Sequence, residues 1–124
     1  VEDIAETCEA IAYGNAYISK DGELKICDHP VDDWEEIEDF DHEADFWDYL
    51  AENYNERYIL DGDGQILGAK FMVAYGGPNI WVDSYEEEVH LYWGTTEARM
   101  FLTKECCDKI NDFAIDYHRF RVTA

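Results

Sequence analysis

The sequence predicts an α+β fold: an antiparallel sheet of about five to seven short strands, packed with N-terminal, central acidic and C-terminal helices. Three observations carry this. Apolar residues recur at helical spacing at both ends of the chain and from Val31 to Glu56. Residues 57–102 break instead into short β-prone runs. The breaks fall at turn formers such as Asp21-Gly22, Asp61-Gly62-Asp63-Gly64 and Gly76-Gly77-Pro78. With 124 residues, 47% of them hydrophobic and 15% aromatic, the chain has the material for one globular domain with its own core.

Taken in order, residues 2–13 place Ile4, Cys8 and Ile11 on one helical face, and Gly14 is the stop. Ala16–Ser19 and Leu24–Cys27 flank Lys20-Asp21-Gly22-Glu23, which reads as a hairpin turn. From Val31 to Glu56 there is no Gly or Pro, and Trp34, Ile37, Phe40, Ala44, Trp47, Ala51 and Tyr54 recur every three or four residues. That stripe predicts one long helix, or two broken near Asp41-His42. Arg57–Leu60 and Gln65–Tyr75 form a second hairpin signal around residues 61–64. Asn79–Asp83, Val89–Trp93 and Ala98–Leu102 read as three further strands, in which Trp81 and Trp93 should each lie on a buried face. Thr103 is a good N-cap for a last helix to about His118, with Cys106, Ile110, Phe113 and Tyr117 inward.

The feature that bears most on function is charge. Residues 26–56 hold thirteen Asp or Glu and no Lys or Arg, with six aromatic residues threaded among them. A disordered acidic tail would lack those aromatics, so this is a folded segment with an anionic face. The net charge of −21 is uneven: residues 1–56 carry 19 acids and 2 bases, or −17, and residues 57–124 carry 11 acids and 7 bases, or −4. Such a surface repels nucleic acid and anionic membrane and attracts basic proteins. Concentrating like charge costs stability, and a basic partner would offset the cost.

Other chemistries fit less well. No Cys-x-x-Cys or His-Glu-x-x-His spacing occurs, and Cys27 with His29 has no second pair, so no metal is expected. Asp61-Gly62-Asp63-Gly64 opens like a calcium loop, but the twelfth position is Lys70 where Glu is needed. Gly76-Gly77-Pro78-Asn79 lacks the Lys and Ser/Thr of a phosphate loop. Ser19 and Ser84 sit in turns, and Cys8 and Cys106 fit helix stripes where an inert thiol is the common state. No cofactor is expected, and a carboxylate dyad among thirty acids carries no information. The acidic start Val1-Glu2-Asp3 lacks the apolar run of a signal peptide, so none is expected, and no apolar run is long enough for a membrane helix. Four reduced cysteines in a cytoplasmic setting are therefore expected.

On a helix, residues four apart rise about 6 Å, a spacing comparable with that of successive phosphates along a nucleic-acid strand. Asp32, Glu36, Asp39 and Glu43 would form one such row and Asp41, Asp45, Asp48 and Glu52 another, with Asp33 beside them. These nine are the expected partner-binding residues. Competing readings are a merely solvated face, halophilic adaptation, an acidic immunity protein or antitoxin against a basic nuclease, and, as a distinct class, a small enzyme that uses a carboxylate dyad.

A short, very acidic α+β chain with aromatics among its acids resembles the anti-defence proteins of phages and mobile elements, including DNA-mimicking antirestriction and anti-CRISPR proteins. The stretch Val73-Ala74-Tyr75-Gly76-Gly77-Pro78-Asn79-Ile80-Trp81-Val82-Asp83, followed by Leu91-Tyr92-Trp93-Gly94, is similar to small phage open reading frames. The likeness is one of size and charge. It implies a non-enzymatic inhibitor that blocks the nucleic-acid site of a host defence protein, a CRISPR effector or restriction enzyme, in the cytoplasm of the host.

Overall fold

The computed structural model describes residues 1–27 and 37–123. They form α1 (Glu2–Ala12), β1 (Ala16–Ser19), β2 (Leu24–Ile26), β3 (Phe40–Glu43), α2 (Phe46–Tyr49), β4 (Asn55–Leu60), β5 (Ile66–Ala74), β6 (Asn79–Asp83), β7 (Glu88–Trp93), β8 (Thr96–Phe101) and α3 (Lys104–Thr123). The strands make two antiparallel sheets, one ordered β2-β1-β3 and one a meander ordered β4-β5-β6-β7-β8. The α+β class and both terminal helices are as the sequence predicts. The strands number eight among the described residues, divided over two sheets.

Local signals account for most elements. α1 ends where Gly14 takes φ 77°, a conformation that glycine enters without Cβ strain. The hairpin at residues 20–23 brings Ile18 opposite Leu24, and that at residues 61–64 brings Tyr58 opposite Ala69. α3 opens on Thr103, whose Oγ1 accepts from the Cys106 N–H at 3.2 Å. The Thr103 N–H and hydroxyl in turn both donate to Glu9 Oε1, at 3.0 and 2.7 Å, tying the start of α3 to α1. The helix runs on past His118 to Thr123.

The core lies where α1 and α3 meet one face of the five-stranded sheet. Register puts Phe71, Val82 and Val89 side by side on that face, all fully buried. Cys106, Ile110, Phe113 and Tyr117 of α3 come down on it, with the Phe71 and Phe113 rings 5.5 Å apart. Fully burying a side chain such as Phe71 stabilises by about 1.5–3 kcal/mol. Trp81 faces the opposite side of the sheet. It is buried as expected, with Lys70 Nζ 4.9 Å and the Arg57 guanidinium 5.6 Å from its ring centre. Trp93 departs from expectation: at the end of β7, where it pairs with Thr96 of β8, it is 63% exposed.

The central helix is the main correction. Among the described residues of 31–56, the only α-helix is the single turn Phe46–Tyr49. Phe40–Glu43 is a strand, with Tyr17 opposite Glu43 and Ile18 opposite His42. Asp is a poor helix former, and acids four apart on a helix repel. Pairing with β1 supplies the backbone bonds that the segment needs, including Lys20 N–H to Asp39 O at 2.8 Å and Ala44 N–H to Ala16 O at 3.0 Å. The aromatic stripe is thereby divided. Phe40 lies 6.0 Å from Tyr17, Trp47 packs on Phe113, Tyr117 and Phe120 of α3, and Tyr54 is exposed beside Tyr75. Trp34 and Asp28–Glu36 lie outside the described residues.

Candidate functional site: an acidic groove beside the third helix

Among the described residues the expected rows of carboxylates do not form, because Phe40–Glu43 is a strand and the only helix in that segment is the turn Phe46–Tyr49. Asp32, Asp33 and Glu36 lie outside the described residues. The other six divide into structural and available groups. Asp39, in the turn before β3, accepts from Lys25 Nζ at 2.5 Å and from the Tyr17 hydroxyl at 3.0 Å. The Lys25 bond first, and the Tyr17 bond after it, hold the Asp39 carboxyl below the usual carboxylate range. This acid is committed to bracing β1, β2 and β3.

Asp41 and Asp48 close on His42 from two sides, with Nδ1 2.6 Å from Asp41 and Nε2 3.1 Å from Asp48. Hydrogen bonding to Asp41, then to Asp48, raises the His42 pKa above its ordinary value. Burial works against ionisation of Asp48, but bonds from the Asp45 backbone and from His42 outweigh it and lower its pKa. Asp45 and Asp48 also cap α2 reciprocally: the Asp48 N–H donates to Asp45 Oδ1 at 3.1 Å and the Asp45 N–H to Asp48 Oδ2 at 3.0 Å. Glu52 is exposed in the turn after α2.

Glu43 and Asp45 are brought together with partners that the sequence reading missed. They line an open groove of about 630 Å³, whose far wall carries Asp112 and Asp116 of α3 and whose floor includes Trp47 and Phe113. Its described lining contains one cation, Lys109, and that one is occupied: Nζ donates to Ala12 O and lies 3.7 Å from Glu105 Oε1. The groove therefore presents four carboxylates around an aromatic floor. It can accept Lys or Arg side chains, pairing the charge at the rim and stacking the stem or guanidinium on Trp47. The signal for Asp112 and Asp116 was available. They stand four apart and flank Phe113 and Tyr117, so α3 had to carry an acidic stripe next to its buried one.

The three buried thiols, Cys8, Cys106 and Cys107, do not suit nucleophilic chemistry. All four cysteines are free. Burial pushes Cys8 and Cys106 well above the ordinary thiol range and Cys107 up to about 12. Among the described residues, no three His, Cys, Asp or Glu side chains are grouped to hold a metal ion, and no helix is long and apolar enough to cross a membrane. No family model matches the chain, no curated protein matches it significantly, and no solved structure does so either.

Proposed function

We propose that the chain is a non-enzymatic inhibitor that docks its acidic surface into the nucleic-acid site of a basic defence protein, a CRISPR effector or a restriction enzyme. The observation that carries this reading is the groove in which Glu43, Asp45, Asp112 and Asp116 converge without a free cation of their own among the described lining. Nucleic-acid channels are lined by Lys and Arg that normally meet phosphates. Carboxylates arrayed over an aromatic floor offer those side chains a substitute, and the chain's net charge of −21 steers the encounter.

The test is a titration against basic nucleases and CRISPR effectors, with labelled DNA as competitor. The expected result is stoichiometric displacement of DNA by the chain, with no turnover and no affinity of the chain for DNA itself. Glu43→Gln combined with Asp112→Asn and Asp116→Asn should weaken displacement at least tenfold. These three positions are the right ones to vary. Reversal of Asp41, Asp45 and Asp48 would break the His42 contacts and the α2 cap, and so confound binding with folding. Displacement unchanged in the triple variant, or no displacement across the panel, would overturn the reading.

A further inference from the structure

We propose that a second groove, on the other side of α1, docks an apolar anchor flanked by Lys or Arg on the same partner; this rests on the function proposed above and adds a second contact to it. The groove holds about 400 Å³ between α1, the end of β2 and the end of β8. Its walls are apolar, with Ala5, Ala10 and Met100 inside. Two of its lining side chains stand in solvent, Ile26 at 50% and Phe101 at 80% exposure. Exposed large apolar groups beside a concave apolar surface mark docking sites rather than ordinary surface.

Charge selects the occupant. Glu2 and Glu6, one turn apart on α1, border the groove, and neither is ion-paired among the described residues. Glu9 borders it too, but is used by Thr103. A second copy of the chain would bring another −21 of charge against this rim. An uncharged apolar segment would leave the carboxylates unpaired. An aliphatic or aromatic side chain between basic residues satisfies both the walls and the rim. Tyr13 lines both grooves, so the C-terminal end of α1 is the ridge between them, and one basic surface can address both sides.

Three synthetic peptides test this by calorimetric titration and by amide chemical-shift mapping. The first is Arg-Lys-Leu-Leu-Lys-Arg-Phe-Leu-Arg-Lys, the second carries Ser at every apolar position, and the third carries Glu at every basic one. The first should bind at least tenfold tighter than either control, with shifts on α1 and the ends of β2 and β8. Phe101→Ala with Ile26→Ser should abolish that tenfold preference. Both side chains are exposed enough for the fold to tolerate their loss, and a thermal melt checks it. Equal binding of the first two peptides, or shifts confined to the Asp112–Asp116 wall, would overturn the proposal. So would a Trp34→Ala variant that binds a peptide the natural chain refuses, which would assign the groove to the chain's own segment 28–36. If the Phe101→Ala, Ile26→Ser variant still displaces DNA from its target at full strength while the groove-acid triple variant does not, this inference fails and the proposed function stands.

Discussion

At the scale of single residues, the acids of this chain do unequal work. His42 is the clearest case, held between Asp41 and Asp48 on the exposed side of β3. Its raised pKa makes it cationic in the fold at pH values where a free histidine, near 6.5, is already half neutral. The stability it contributes is full below about pH 6.5 and is lost as the pH rises through the higher folded value. Asp48 works in the opposite sense: its lowered pKa contributes stability above about pH 4, lost as the pH falls through the folded value. The pair therefore serves best between those limits. With the His42 side chain 48% exposed, solvent screening keeps the effect on global stability small. A proton NMR titration should place the His42 midpoint above 6.5, and Asp48→Asn should lower it; a midpoint at or below the free value would contradict the geometry. Gly68 carries a steric prediction. A Cβ there would sit 2.5 Å from Tyr85 Cβ and 2.9 Å from Tyr85 Cα, where the loop after β6 folds back on β5. Ser84 fixes that loop by accepting the Ala69 N–H at 2.9 Å. Gly68→Ala should cost about 1–3 kcal/mol in urea unfolding, as overpacking does, and an unshifted midpoint would mean the loop does not sit so close. Glu87, in the same loop at φ 60°, points the other way: Glu87→Gly should relieve strain and gain about 1 kcal/mol.

At the scale of elements, what was legible depends on how far each element reaches for its partners. Both hairpins and the three strands after Pro78 rest on neighbours close in sequence, and the inward face of α3 repeats at its own helical period although it packs on β5, so turn chemistry with apolar period is enough to read them. The N-cap bond that starts α3 is local too, and it is testable. Thr103→Ala removes the hydroxyl that accepts from Cys106 and donates to Glu9, so it should cost about 1 kcal/mol or somewhat more in thermal unfolding. No loss would show that the cap and its tie to α1 are not formed. β3 is different. Its partner is β1, more than twenty residues earlier, and its own apolar spacing imitates a helix. Nothing inside residues 40–43 announces the pairing; tertiary hydrogen bonds decide it. The site was half legible for the same reason. Density of acids singled out Glu43 and Asp45; the spacing of Asp112 and Asp116 marks an acidic stripe on α3, but only the packing of α2 against α3 shows that the stripe shares a groove with them.

At the scale of the whole molecule, fold and binding should answer salt in opposite directions. Thirty acids face nine bases, so most carboxylates have no cation to meet and repel one another. Several of the ion pairs that do form, such as Lys25 with Asp39 and Lys104 with Asp108, are exposed and worth little each, so weakening them with salt costs little. Screening the surplus repulsion is the larger effect. Raising NaCl from about 50 to 500 mM shortens the Debye length from roughly 14 to 4 Å, so the thermal midpoint of the free chain should rise. Over the same range, association with a basic partner should slow by an order of magnitude or more, because steering by opposite charge is lost. Dissociation should change less if Trp47 in the first groove or Phe101 in the second supplies apolar contact, since burial of apolar surface is not screened. Calorimetry on the chain alone and stopped-flow kinetics on the complex separate these effects. An association rate flat across that range would remove the electrostatic basis of the proposed function. A midpoint that fell with salt would show instead that the acids are balanced within the fold, leaving no strain for a partner to relieve.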